Sequence, residues 1–259
     1  MDLSFLFGFI FGLGLIIKSI GIKTGMAFFL QLDAFLIVFG GVFGATCIHF
    51  PVSQLWKAPK RLLKVSSIKK INSYYYIDLI VELSTEAKKR GRLSLLPRIS
   101  KLDNEFLKLG LQMIVDNVEP DKLEYIMSEN LSKLVQRHTQ GITFFEQMAK
   151  YAPGFGLLGT LIGLILLLSN LGDPSSVGPH MATALVATFY GVFLSQFVFL
   201  PISGRLRMTS AEEVYEKQLI LEGLLAMANE DIPSIVKEKM EFYLPQHERH
   251  KTPKRYRSS

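Results

Sequence analysis

Two threonines, Thr160 and Thr188, stand inside long apolar stretches on stripes of small residues. Gly156, Gly159, Thr160 and Gly163 recur at helical spacing, and Ala184, Ala187, Thr188, Gly191 and Ser195 do the same. Small residues let helix backbones approach closely, and hydroxyls hydrogen-bond across such an interface. One use of these stripes is packing. The other is a polar path for an ion, lined by Thr160, Thr188 and the adjacent Ala187. A proton or sodium carrier needs a titratable or coordinating group at depth, usually a carboxylate. Neither stretch has an Asp, Glu, Lys or Arg in its apolar core. If ions cross here, another chain must supply the carboxylate. Within the apolar segments only Asp33 is acidic, apart from Asp2 at the terminus, and it lies toward one end. It is a candidate for where an ion enters. Pro153 and Pro201 fall near the ends of the two stretches, where each removes a backbone hydrogen bond and bends its helix. They either set helix direction or act as hinges that couple ion occupancy to movement.

Enzyme chemistry has no foothold in the sequence. There is no phosphate loop, no clustered Cys/His metal site and no nucleophile–base pairing, so no catalytic residue, cofactor or bound metal is expected. The single cysteine, Cys47, sits in an apolar stretch and reads as packing. His49 and His180 lie at helix ends, where interfacial solvation accounts for them.

The elements that must position these residues are four apolar segments, about Leu3–Ile20, Met26–Ile48, Ala152–Leu171 and Met181–Ile202. Each approaches the roughly 20 residues that span the hydrocarbon. The first lacks the cationic flank and cleavage site of a signal peptide and reads as a retained helix. Of the 29 Lys and Arg residues, 16 lie between Pro51 and Gln147 and 10 after Ser203. The connection from Leu171 to His180 has none, and the first connection has only Lys23. The positive-inside rule then makes both large polar segments and both termini cytoplasmic, and assigns the basic excess to a membrane face and not to nucleic acid. The expected architecture is an all-α membrane protein with a large helical cytoplasmic insertion between helices 2 and 3. Its parts are residues 1–50 (membrane helices 1 and 2), 51–150 (cytoplasmic), 151–203 (membrane helices 3 and 4, the ion-path core) and 204–259 (cytoplasmic helices and a basic tail). In the insertion, Leu102, Phe106, Leu109 and Met113 fall on one helical face, and Leu123, Ile126, Met127, Leu131 and Leu134 on another. Gly91 after Lys88-Lys89-Arg90 marks a helix end. Pro51, Pro59, Pro97 and Pro120 punctuate the region, and the tail from Pro245 on reads as disordered.

The stretches Arg137–Gly141, Tyr151–Leu164, Asp173–Ala182, Ala187–Gly191 and Phe199–Ile202 resemble the flagellar stator A subunits, the MotA/PomA group of the MotA/TolQ/ExbB proton channel family. The resemblance is most specific across helices 3 and 4 and extends to Leu36–Gly41. It implies a homopentameric ring in the bacterial inner membrane around two copies of a MotB/PomB-type subunit, which carries the membrane aspartate. It further implies conduction of H+ or Na+ and rotation against the flagellar rotor switch protein. Pro153 and Pro201 match the group's coupling prolines, and Thr160 and Thr188 its hydroxyls near the ion path. Lys88, Lys89 and Arg90 match the cationic rotor contact. Leu96 and Pro97 stand where acidic rotor-contact residues are usual, with Asp103 and Glu105 nearby. Ala187-Thr188 replaces the Thr-Thr of sodium-type relatives, and Gln31 replaces their Asp, so the ion stays open. A MotA-like or TolQ/ExbB-like energiser of a non-flagellar process is the alternative, and a structural scaffold a third reading.

Overall fold

The computed structural model describes residues 3–21, 26–56, 72–170, 172–246 and 249. Asp2, Lys23, Pro59, Leu171 and the basic tail from 250 on lie outside them. The described residues form helices and turns, without a strand. In chain order the helices are α1 (Leu3–Ile20), α2 (Met26–Phe29), α3 (Leu32–His49), α4 (Val52–Leu55), α5 (Ser73–Arg90), α6 (Leu96–Ile99), α7 (Glu105–Val115), α8 (Pro120–Ser169), α9 (Pro174–Ala228) and α10 (Pro233–Glu241). Leu36–Gly40 in α3 and Leu194–Phe199 in α9 are π-helical turns. The chain divides into two compact units, Met1–Ile68 with His138–Thr209, and Lys69–Arg137 with Ser210–Ser259.

The first unit holds the apolar helices. Leu32–His49, Pro120–Ser169 and Pro174–Ala228 are each long and apolar enough to cross a membrane. α1 has 18 residues, a rise of about 27 Å. The second apolar segment departs from the expected unbroken helix. Leu30 and Gln31 are non-helical, Gln31 is extended (φ −107°, ψ 113°), and α3 begins only at Leu32. The break has a partner, because the Tyr190 hydroxyl of α9 donates to the Phe29 carbonyl at the end of α2. α8 and α9 run far past their apolar portions. Hydrophobicity marks only the part matched to hydrocarbon, whereas caps and breakers set where a helix stops. One buried cluster of this unit joins Ala34, Val38 and Val42 of α3 to Ala152 of α8 and Val186, Ala187 and Leu194 of α9, and a second joins Phe50 to Phe144 and Phe145.

The second unit is helical and has a buried core of its own. Ile77, Ile80 and Leu83 of α5, Leu107, Leu111 and Ile114 of α7, Leu123 and Met127 of α8, and Leu219, Ile220 and Leu224 of α9 form its core. Val236 and Met240 of α10 close it. Gly91 ends α5 at φ 84°, a backbone conformation that disfavours side chains. The α7 face is rotated from the expected one. Leu102 precedes the helix and Leu109 is exposed, while Leu107, Gly110, Leu111 and Ile114 are buried with Phe106 and Met113. Leu109 sits at the edge of that arc, so a four-residue pattern found one side of it and missed the other. In α8, Leu123, Met127 and Leu131 are buried as expected, but Ile126 is exposed.

Asn104 organises this unit. Its Oδ1 accepts from the amides of Phe106 and Leu107, both at 3.1 Å, capping α7. Its Nδ2 donates to the Tyr76 hydroxyl at 3.0 Å and to Glu216 Oε1 at 2.9 Å. Burial, with Glu216 beside it, pushes the Tyr76 phenol up to about 12, so it stays neutral. Asn104→Ala removes a cap and two cross-links together. It should cost about 1–2 kcal/mol, read as an earlier loss of helical circular dichroism on heating the purified chain.

Candidate ion-path and coupling residues

The small-residue stripes of α8 and α9 face each other. A Cβ built on Gly156 would lie 3.0 Å from the Ala187 carbonyl and 3.2 Å from the Cα atoms of Gly191 and Thr188. One built on Gly163 would lie 2.9 Å from the His180 carbonyl and from the Ala184 amide. Gly159 receives the Ala187 methyl, and Ala187 is fully buried. On α3, Gly41 lies under the Phe155 ring. At Gly156 and Gly163 backbone atoms of α9 stand opposite and cannot move aside, so glycine is required there, whereas at Gly159 and Gly41 the space is filled by the Ala187 methyl and the Phe155 ring.

This close approach brings four oxygens together. Thr160 Oγ1 lies 3.2 Å from the Gly156 carbonyl and 3.3 Å from the Ala184 carbonyl, and it contacts the Thr188 hydroxyl. Thr188 Oγ1 lies 3.4 Å from the Gly156 carbonyl. Two hydroxyl hydrogens serve this set, so one hydroxyl donates to the other and the second donates to a carbonyl. Thr160 is half-buried and Thr188 exposed, which leaves one side of the cluster open. Oxygen-only surroundings suit a proton relay or a hard cation such as sodium. The set has no charge of its own. Asp33 does not belong to it. It is exposed in the first turn of α3, next to the break, where the helix N-terminus favours an anion.

Pro153 and Pro201 lie within α8 and α9, and both are exposed. Ser195, which the sequence presents only as part of a stripe, donates from the π-helical turn of α9 to the Ala149 carbonyl at 2.8 Å. Two further links escape a reading of spacing alone: the Tyr190–Phe29 bond, and His49 Nδ1 with the Tyr151 hydroxyl at 2.6 Å. Each joins positions over 100 residues apart, a separation that helical periodicity cannot register. In the loop before α9, Asp173 accepts from the Ser175 hydroxyl at 2.6 Å and from its amide at 3.0 Å. These bonds cap the helix and hold the Asp173 carboxyl below its ordinary range.

The cationic residues of the second unit divide. Lys88 Nζ donates to the Glu230 carbonyl at 2.9 Å, just beyond the end of α9. Arg92 bonds Asn117 Oδ1 at 2.5 Å and Glu230 Oε1 at 2.8 Å. Lys89 and Arg90 are exposed, as are Leu96, Pro97, Asp103 and Glu105. Glu105 pairs with Lys108 at 2.9 Å. Among the described residues, no group of three or more His, Cys, Asp or Glu is placed to hold a metal.

Comparison with known proteins gives this arrangement a context. The sequence pattern of the MotA/TolQ/ExbB proton channel family matches residues 98–219. An uncharacterized protein of Bacillus subtilis, YtxD, is 35% identical over 96% of this chain and 93% of its own length. Motility protein A of Borreliella burgdorferi is 34% identical over 94% of each chain. A solved structure of the flagellar MotAB stator complex from Bacillus subtilis superposes with a TM-score of 0.82 at 30% identity, covering 92% of this chain and 94% of that one. With helices long and apolar enough to cross a membrane, the facing glycine stripes and the paired threonines, these likenesses establish that the chain belongs to the MotA/TolQ/ExbB proton channel family.

Proposed function

We propose that this chain is the A-type stator subunit of a bacterial flagellar motor, a non-enzymatic membrane protein that converts ion flux into rotation. The observation that carries the reading is the Thr160–Thr188 oxygen cluster, open on one side and without a carboxylate. It is a half-site. A partner of the MotB/PomB type completes it with a membrane aspartate, in a ring of five copies of this chain around two of the partner. The carboxylate alternates between charged and neutralised states against the Thr160/Thr188/Ala187 face. Neutralisation lowers its cost of passing apolar surroundings, so the ring steps past it. Asp33, near the outer end of its helix, receives the ion. Pro153 and Pro201 pass each step to the cytoplasmic unit, whose exposed Lys89 and Arg90, with Lys88, meet the rotor switch protein. Both termini are cytoplasmic and the membrane is the inner one. The transported ion is H+ or Na+.

Deletion of the gene, with filaments checked by microscopy, tests this directly. Flagellated but paralysed cells, restored by this chain, are the expected result. In a strain with no second stator, normal swimming overturns the flagellar reading and favours a non-flagellar energiser of the same family. Removing the hydroxyls tests the path itself. Thr160→Val with Thr188→Val should lower ion uptake by vesicles holding both subunits roughly tenfold, the equivalent of about 1.4 kcal/mol in the barrier. Thr160→Ser, which keeps the hydroxyl, should retain most of the uptake. Undiminished uptake in the double valine variant removes Thr160 and Thr188 from the path.

A further inference from the structure

The interruption that Pro153 makes in α8 is met from the facing helix. Proline has no amide hydrogen, so the carbonyl four residues back, that of Ala149, loses its ladder donor. Ala149 is only 3% exposed, which keeps water from replacing that donor. The Ser195 hydroxyl donates to this same carbonyl at 2.8 Å, and Ser195 is itself 3% exposed. Apart from the Thr160–Thr188 cluster and Tyr190, several hydroxyls in these helices take the local option and bond back to the carbonyl four residues earlier. Thr46 does so to Val42, Thr183 to Pro179 and Thr209 to Arg205, at 2.7, 3.1 and 3.0 Å. Ser195 instead reaches across to another helix. It does so from the π-helical turn Leu194–Phe199, where the regular ladder of α9 is also interrupted. One side-chain bond therefore joins the irregular turn of one helix to the proline turn of the other.

We propose that Ser195 is the positioning residue of the Pro153 turn: its hydroxyl replaces the missing amide and fixes the α8 bend against α9. Resting on the reading of Pro153 as a hinge, a displacement of α9 along α8 is then passed to that bend through this bond. The test is a double-mutant cycle on the full-length chain purified in detergent. Ser195→Ala should lower the folded-to-unfolded ratio roughly tenfold where residue 153 is proline, because a buried carbonyl loses the hydroxyl that stands in for its ladder donor. In the Pro153→Ala background residue 153 supplies an N–H, and the same substitution should change the ratio by less than about twofold. Equal losses in both backgrounds overturn the proposal. If Pro153→Ala does not accumulate, Ser195→Thr and Ser195→Val decide the matter, since they match in size and only threonine keeps the hydroxyl. Threonine preserving stability and valine losing it supports the link, and equal behaviour overturns it. In the deletion strain, the threonine variant should swim under load and the valine variant should not. Stability coupling in a strain that swims normally without this gene would support the Ser195–Pro153 link and overturn the stator reading.

Discussion

Gly191→Ala should strongly destabilise the first unit, the largest effect of a single methyl anywhere along the α8–α9 contact. A Cβ at position 191 would lie 2.5 Å from the Ala152 carbonyl, 2.9 Å from Gly156 Cα and 3.1 Å from Gly156 N. All three are backbone atoms of α8, so no rotamer change relieves the clash and the helices must separate. Separation would pull Ala187 off Gly159 and part the Thr160 and Thr188 hydroxyls, which meet only at this close approach. Overpacking of a tight interface costs about 1–3 kcal/mol and sometimes more, and the rigid opposing backbone puts this site at the upper end. Gly154→Ala is the matched control, because nothing lies within 4 Å of a Cβ built there. That change should be neutral or stabilising, by up to about 1 kcal/mol of helix propensity. Membrane accumulation and the thermal midpoint in detergent distinguish them. If Gly191→Ala accumulates like the unaltered chain, the close backbone approach is wrong.

Pro201→Ala should abolish swimming while leaving the protein in the membrane. Proline 201 has no donor to offer the ladder where the π-helical turn ending at Phe199 passes into α-helix, one residue after the Leu200 N–H reaches back to the Ser195 carbonyl. Alanine restores that donor and allows a regular ladder across the junction. The proline is exposed, so its loss opens no cavity, and helix propensity by itself favours alanine by up to about 3 kcal/mol. The expected signature is thus a chain at least as stable as before, in cells as still as the deletion strain. Loss of function with gain of stability separates a coupling defect from misfolding. Torque left intact in the assembled complex would remove the coupling role from Pro201.

The two substitutions probe different levels of the same device. In the proposed mechanism Gly191 sets whether the two hydroxyls meet, and Pro201 whether their surroundings can move the chain beyond them. The Ser195–Ala149 bond stands between these levels, at the turn where α8 loses its own donor.

Much of the organisation is legible in residue order because it depends on local rules. Uninterrupted apolar length marks what can lie in hydrocarbon, and the small-residue spacing at Gly156, Gly159 and Gly163 and at Ala184, Ala187 and Gly191 marks two faces that pack closely. Gly91 ends α5 where a positive φ is needed, and Pro120 opens α8, as their backbone preferences dictate. The absent carboxylate in both inner helices is a property of composition and needs no structure. Tertiary structure decided the rest. Which hydroxyl meets which depends on the rotation of α8 against α9, and only that docking brings Thr160 onto Thr188 and Ser195 onto Ala149. The break at Leu30 and Gln31 escapes hydropathy, since its partner is Tyr190, far along the chain. The exposure of Leu109 and the tie between Lys88 and Glu230 follow from the packing of distant segments in the second unit. Periodicity says which side of a helix is apolar. The depth and rotation of its neighbour decide which atoms on that side come within 3 Å of a partner, because hydrogen bonds are short-ranged and directional whereas hydrophobic burial is neither.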